Sequence, residues 1–150
     1  MGYCTVTEVL DMMKDDLVAA VLTDDYVEKD EAKEKIAPMA EEAIQDADAE
    51  IDGYLAKRYN VPLKEIPAVI RKFSKDIAIY NLVSRIGIDE NDRQKTILTR
   101  YNQAVSFLTK VANGTIQLGL SESDLQSQAA TGFQISGNTR LFSRDSLRGW

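Results

Sequence analysis

Residues 37–63, APMAEEAIQDADAEIDGYLAKRYNVPL, decide how this chain folds. Ala40, Ala43, Ile44, Ala47, Ile51, Tyr54, Leu55 and Arg58 recur at helical spacing, leaving Glu41, Glu42, Gln45, Asp46, Glu50 and Asp52 for the other face. The inward alanines allow a second helix to come close along the upper part, while the lower part carries the larger Ile51, Tyr54 and Leu55. After Tyr59 the periodicity stops. Asn60 and Pro62 are turn residues, and Pro62 disfavours helical geometry at Val61. The stretch predicts a central helix with an acidic outer surface and a fixed exit loop.

On the C-terminal side, Pro67 opens the next helix at or near its first position. Its inner face is marked by Val69, Ile70, Phe73, Ile77, Tyr80, Asn81 and Ser84, with Ala78 and Leu82 on the borders and Gly87 as the stop. Asp76 lies at the edge of that face and Arg58 at the edge of the central one, so a structural ion pair between Arg58 and Asp76 is expected. Asn91 or Asp92 caps a third long helix. Its stripe of Ile97, Tyr101, Ala104, Val105, Leu108 and Val111 runs to the Asn113–Gly114 stop.

On the N-terminal side, Thr5 and Glu8 have the spacing of a capping box for a short helix carrying Val9, Leu10 and Met13. Leu17 to Leu22 reads as a second short turn, broken by Thr23, Asp24 and Asp25. VEKDEAKEKI at 27–36 combines helix formers with the i,i+4 pair Glu31–Lys35. Pro38 fits either the first turn of the central helix or a disturbance within a longer one starting near Asp30; the second is preferred.

The fold class is therefore mainly α, a small helical bundle of three long helices plus a short N-terminal helix over residues 1–114. Residues 115–150 form a linker and C-terminal arm. TIQLGL after Gly114 reads as an extended segment, and Ser121 to Thr131 has linker composition. Phe133, Ile135, Leu141 and Phe142 flank a Gly137–Asn138 turn, which suggests a β-hairpin at 133–143. Disordered tails are poor in large apolar residues. Phe142, Leu147 and Trp150 therefore either fold back on their own bundle or, with Arg144 and Arg148, dock on a neighbouring protein, where aromatic and arginine anchors are typical.

Composition narrows the function. The 150 residues contain no histidine and one cysteine, Cys4. That removes the commonest general base, Cys/His zinc sites and Ser–His or Cys–His nucleophilic machinery. No apolar run approaches the length of a membrane span, and MGYCTVTEV lacks the order of a secretory signal, so no membrane contact and synthesis in a cytoplasm are expected. Residues 1–66 hold 17 Asp/Glu against 7 Lys/Arg, and residues 67–150 hold 7 against 11. An acidic half beside a mildly basic one suits head-to-tail contact between identical subunits better than DNA binding; a solvated acidic face is the plainer reading.

Site chemistry is sparse. Asp46, Asp48, Glu50 and Asp52 do not converge on one helix face, although Asp48 and Asp52 form an i,i+4 pair; a solvated face is expected of them rather than a cation site. DENDRQ at 89–94 lacks the glycine and closing glutamate of a calcium loop, and no phosphate-binding glycine loop occurs. The expectation is no enzyme, no catalytic residues, no metal and no cofactor.

Three segments, AEEAIQDADAEIDGYLAKRYNVPL at 40–63, IPAVIRKFSKDIAIYNLV at 66–83 and LFSRDSLRGW at 141–150, resemble one family. Its members are small proteins from the head-morphogenesis region of Mu-like tailed bacteriophages and prophages, long catalogued as a domain of unknown function and similar to head–tail connector, or head-completion, adaptors. The charged 24–38 region is longer than that resemblance suggests. It implies a non-enzymatic helical adaptor that oligomerises as a ring under the portal, with twelve-fold symmetry (a dodecamer) usual in the wider class. The implied partners are further copies of itself, the portal protein and tail or stopper proteins, with DNA only as passing cargo in the channel. The implied place is the virion's head–tail junction, after synthesis in the bacterial host. A small helical regulatory module that binds another protein is the alternative; gene neighbourhood separates the two.

Overall fold

A computed structural model describes residues 2–22, 29–87, 92–120 and 125. They form α1 (Val6–Met12), α2 (Asp15–Leu22), α3 (Lys29–Leu55), α4 (Ala68–Ser84) and α5 (Asp92–Ala112). The mainly helical class holds, with one correction: the run ending at Leu22 is a helix in its own right, so two short helices precede the three long ones. Among the described residues the only β pairing is an isolated antiparallel bridge between Tyr59 and Leu125. The hairpin expected at 133–143 lies outside the described residues.

The α1 cap forms as its spacing requires. The Thr5 hydroxyl accepts the Glu8 amide, and the Glu8 carboxylate accepts the Thr5 amide at 3.0 Å. Cys4 and Val9, both buried, occupy the staple positions on either side. Pro38 does not interrupt α3, which runs through it. The proline sits on the exposed face, where water reaches the carbonyl left without an amide partner.

Burial follows the α3 periodicity closely. Ile36, Ala40, Ala43, Ala47, Ile51 and Leu55 are all fully buried. α4 lies across this alanine-lined face and also packs on α5, so it has neighbours on several sides. Its second half is therefore buried almost all round, with Ile77, Ala78, Ile79, Leu82 and Val83 inside. Ser84, expected on the inner face, is exposed. α5 contributes Ala104, Leu108 and Val111, then stops at Gly114, whose φ of 82° is a left-handed conformation that suits glycine. Ile116, Leu118 and Leu120 pack back on the bundle in extended form. No described helix is long and apolar enough to cross a membrane.

Candidate functional site

Three polar constellations cross this core: the first takes Asp48 and Asp52 of α3, the second Glu50, and the third Tyr59 and Asn60 of the exit loop. The first fixes the N-terminal segment. Tyr3 is buried, and its hydroxyl donates to Asp52 Oδ1 while accepting the Leu63 amide at 3.1 Å. The Tyr3 amide donates to Asp48 Oδ2 at 3.1 Å. The fully buried Ser74 hydroxyl lies 3.0 Å from Asp48 Oδ1 and 3.1 Å from Cys4 Sγ. With a single proton, Ser74 donates to the carboxylate and accepts from the thiol. A Cβ on Gly2 would stand 2.8 Å from Asp48 Oδ2, so the chain approaches α3 too closely there for a side chain.

Electrostatics match this geometry. Burial pushes the Tyr3 phenol well above its ordinary range, and its hydrogen bond to Asp52 adds to the effect. Burial also raises the Asp48 carboxyl, opposed by the Tyr3 amide and the Ser74 hydroxyl. The Cys4 thiol is raised by burial too, while the Thr5 amide holds Glu8 below the usual carboxylate range. Phenol and thiol are thus held in their neutral forms. The network clamps residues 2–5 to α3, α4 and the exit loop.

In the second constellation the Tyr101 hydroxyl donates to Glu50 Oε1 at 3.1 Å, and the Tyr101 and Tyr80 rings stack with centroids 4.0 Å apart. Burial first, and then the Glu50 charge, push the Tyr101 phenol up to about 12. The third constellation brings the chain back after α5. The Leu118 amide donates to the Tyr59 hydroxyl at 3.1 Å, and the Asn60 side-chain amide reaches the Leu125 carbonyl at 3.5 Å. Leu125 is thereby pinned beside the α3 exit loop.

Asp76 is buried, as its place on the edge of the face required, but Arg58 is not its partner. Its carboxylate faces Arg100 Nε at 3.4 Å and Lys72 Nζ at 3.6 Å. Arg100 projects from α5 into the α4/α5 seam, whereas Arg58 follows the end of α3 and lies under the turn after α5. A Cβ on Gly114 would be 2.5 Å from Arg58 Nη1. Phe142, Arg144, Leu147, Arg148 and Trp150 lie outside the described residues. Among the described residues, no group of three or more His, Cys, Asp or Glu side chains is placed to hold a metal ion.

Charge is sorted by helix. Between Glu31 and Leu55, α3 carries eight carboxylates against Lys33 and Lys35. Across α4 and the part of α5 from Gln94 onward, the cations are Arg71, Lys72, Lys75, Lys95, Arg100 and Lys110, and the one carboxylate is the buried Asp76. A shallow groove follows α5. Lys95, Thr99, Arg100 and Gln103 line one end, and Phe73, Phe107, Lys110 and Ile116 line the other. The Phe73 and Phe107 centroids are 4.9 Å apart, and Lys72 Nζ lies 4.7 Å above the Phe73 ring.

Sequence reasoning missed Tyr3 and Ser74 and treated Asp48 and Asp52 as solvated. The available signal was a large aromatic two residues before the capping box, next to the Cys4 staple position, where an apolar residue is drawn onto the bundle. Nothing in the spacing of Ser74 marks its partner, which sits on another helix.

Comparison with known proteins covers two of the three segments that carried the resemblance, 40–63 and 66–83; the third, 141–150, lies beyond the family match. The family model described as Bacteriophage Mu, Gp36 matches residues 3–136. The Mu-like prophage FluMu protein gp36 of Haemophilus influenzae is 34% identical over 121 residues, covering 81% of this chain and 77% of that protein. Gene product J of Escherichia phage Mu is 29% identical over 107 residues, covering 71% of this chain and 72% of its own length. From the clamped Tyr3 through Leu125 and beyond, the chain belongs to the Bacteriophage Mu Gp36 family.

Proposed function

We propose that this protein is a structural subunit of a Mu-like phage particle, a head–tail connector that forms a ring under the portal and joins capsid to tail. The observation that carries the reading is family membership over residues 3–136, with relatives in a phage and a prophage. A helical bundle whose chain returns to the α3 exit loop before its apolar, arginine-bearing end is a form suited to such a part. The bundle is the brick, and Phe142, Arg144, Leu147, Arg148 and Trp150 are contacts to a neighbouring subunit, the portal or a tail protein. The ring is a dodecamer where it matches the portal. DNA passes through it as cargo, and the protein needs neither a cofactor nor catalysis for this role. It is made in the host cytoplasm and resides at the head–tail junction.

The test is deletion of residues 141–150, with circular dichroism of the purified protein and electron microscopy of it alone, with portal, and in particles. The expected result is an unchanged helical spectrum together with loss of assembly. Loss of helicity assigns those residues to the core instead; normal assembly of the truncated chain makes them dispensable.

A further inference from the structure

We propose that the cationic groove along α5 is the docking surface for the acidic outer face of α3 from a second copy of this chain. The inference rests on the assembly reading above and names the two surfaces that meet. α3 packs against both α4 and α5, so its outward face and the outer α4/α5 seam lie on opposite sides of the bundle. Two different, complementary surfaces on opposite sides make a heterologous, head-to-tail contact, which yields a ring where the rotation closes.

The charges are complementary over a useful length. The groove presents Lys95, Arg100 and Lys110 and contains no exposed carboxylate. Asp76 beneath it is flanked by Arg100 and Lys72, so those two cations are already paired, and Lys95 and Lys110 carry the open charge of the groove. The outer stripe of α3 presents exposed Glu41, Gln45, Asp46, Ala49 and Gly53. Ala49 and Gly53 allow close approach, and a Cβ at Gly53 would meet nothing within 4 Å. Exposed Arg85 pairs with Glu42 at 2.7 Å within the same chain, so Glu42 is occupied, and Glu41 and Asp46, without a partner among the described residues, are the anchors. α5 spans about 30 Å at about 1.5 Å per residue. A strip that long and one helix wide buries roughly 300 Å² per partner, well short of the roughly 800 Å² of a stable interface. Association is therefore weak, reversible and salt-sensitive until a template collects the subunits.

The experiment uses the full chain in two charge-reversed forms, Lys95→Glu/Lys110→Glu and Glu41→Lys/Asp46→Lys. All four positions are exposed, and circular dichroism checks that each form folds. Sedimentation at low salt and up to millimolar protein reads the association, and a short DNA duplex is the second probe. The wild type is expected to self-associate, each variant alone to do so at least about tenfold more weakly, and an equimolar mixture to recover association, because each reversed face then meets its opposite. A monomeric wild type, or a mixture no stronger than its components, overturns the proposal. So does loss of duplex binding in Lys95→Glu/Lys110→Glu with self-association unchanged, which assigns the groove to nucleic acid. If particles still incorporate the mixture-incompetent variants, only the choice of surfaces has failed; if wild-type chain is not incorporated either, the assembly reading has failed with it.

Discussion

Replacing Tyr3 with phenylalanine removes one oxygen and keeps the ring, so it isolates the polar part of the N-terminal clamp. The hydroxyl has two partners, the Asp52 carboxylate it donates to and the Leu63 amide it accepts. Leu63 is 6% exposed, so its amide loses its acceptor in a site water reaches poorly, a penalty of about 1–3 kcal/mol. Asp52 is only half-buried and recovers part of its loss by hydration. About 3 kcal/mol in total is the expected destabilisation. For a domain of this size each kcal/mol moves the midpoint by about 2–4 °C, so Tm should fall by about 9 °C in thermal unfolding followed by helical ellipticity. Asp52→Asn keeps an oxygen that can accept from the phenol and should cost about 1 kcal/mol. Tyr3→Phe should then add little to Asp52→Ala at the carboxylate end, a coupling readable in a double-mutant cycle. A Tyr3→Phe midpoint within about 2 °C of wild type would refute the reasoning, because the segment before α1 would not be held through this hydroxyl.

Other outcomes follow from the same geometry. Gly114→Ala should destabilise by about 2–3 kcal/mol, from the left-handed φ of 82° and the contact with Arg58; adding Arg58→Ala should recover part of that loss, and none if the guanidinium is not pressed against the turn. Gly53→Ala, in an α3 interior with open space at its Cβ, should raise stability by about 0.5–1 kcal/mol in urea unfolding. The Asp48 carboxyl is raised in the fold, so the folded state binds its proton more tightly than the unfolded state does. Stability should therefore fall as pH rises from the ordinary carboxylate value through the raised one, and Asp48→Asn should flatten that part of the profile. Tyr101 is raised to about 12, so the same sign applies at the alkaline end. Ultraviolet titration should show two tyrosines ionising late, Tyr3 and Tyr101, and Tyr101→Phe should remove one of them.

Most of the long-helix architecture was legible because its signals are local. The Ala40–Leu55 spacing, the Thr5/Glu8 box, Pro67 and Asn113–Gly114 are all settled within a few residues of chain, and each places its element. What escaped depends on contacts between elements distant in sequence. Ser74 meets Asp48 and Cys4 only because α4 lies across the alanine face of α3, and Tyr3 reaches Asp52 only because the exit loop closes over it. Choosing a partner for Asp76 failed for the same reason. Periodicity puts a residue at the edge of a face, but whether Arg58 or Arg100 arrives there depends on how far each helix runs before it turns. The outward carboxylates of α3 were recognised as a face, although the separation of charge by helix needed the bundle to show that the two faces oppose one another.

The central claim is that this chain is a built-in part of a phage particle at the junction of head and tail. Electron cryo-microscopy of intact particles, paired with mass spectrometric quantification of their proteins, tests it most directly. The expected result is a ring of these helical bundles between portal and tail, in copy number equal to the portal's. Purified particles that lack the protein while carrying a complete head–tail junction would contradict it.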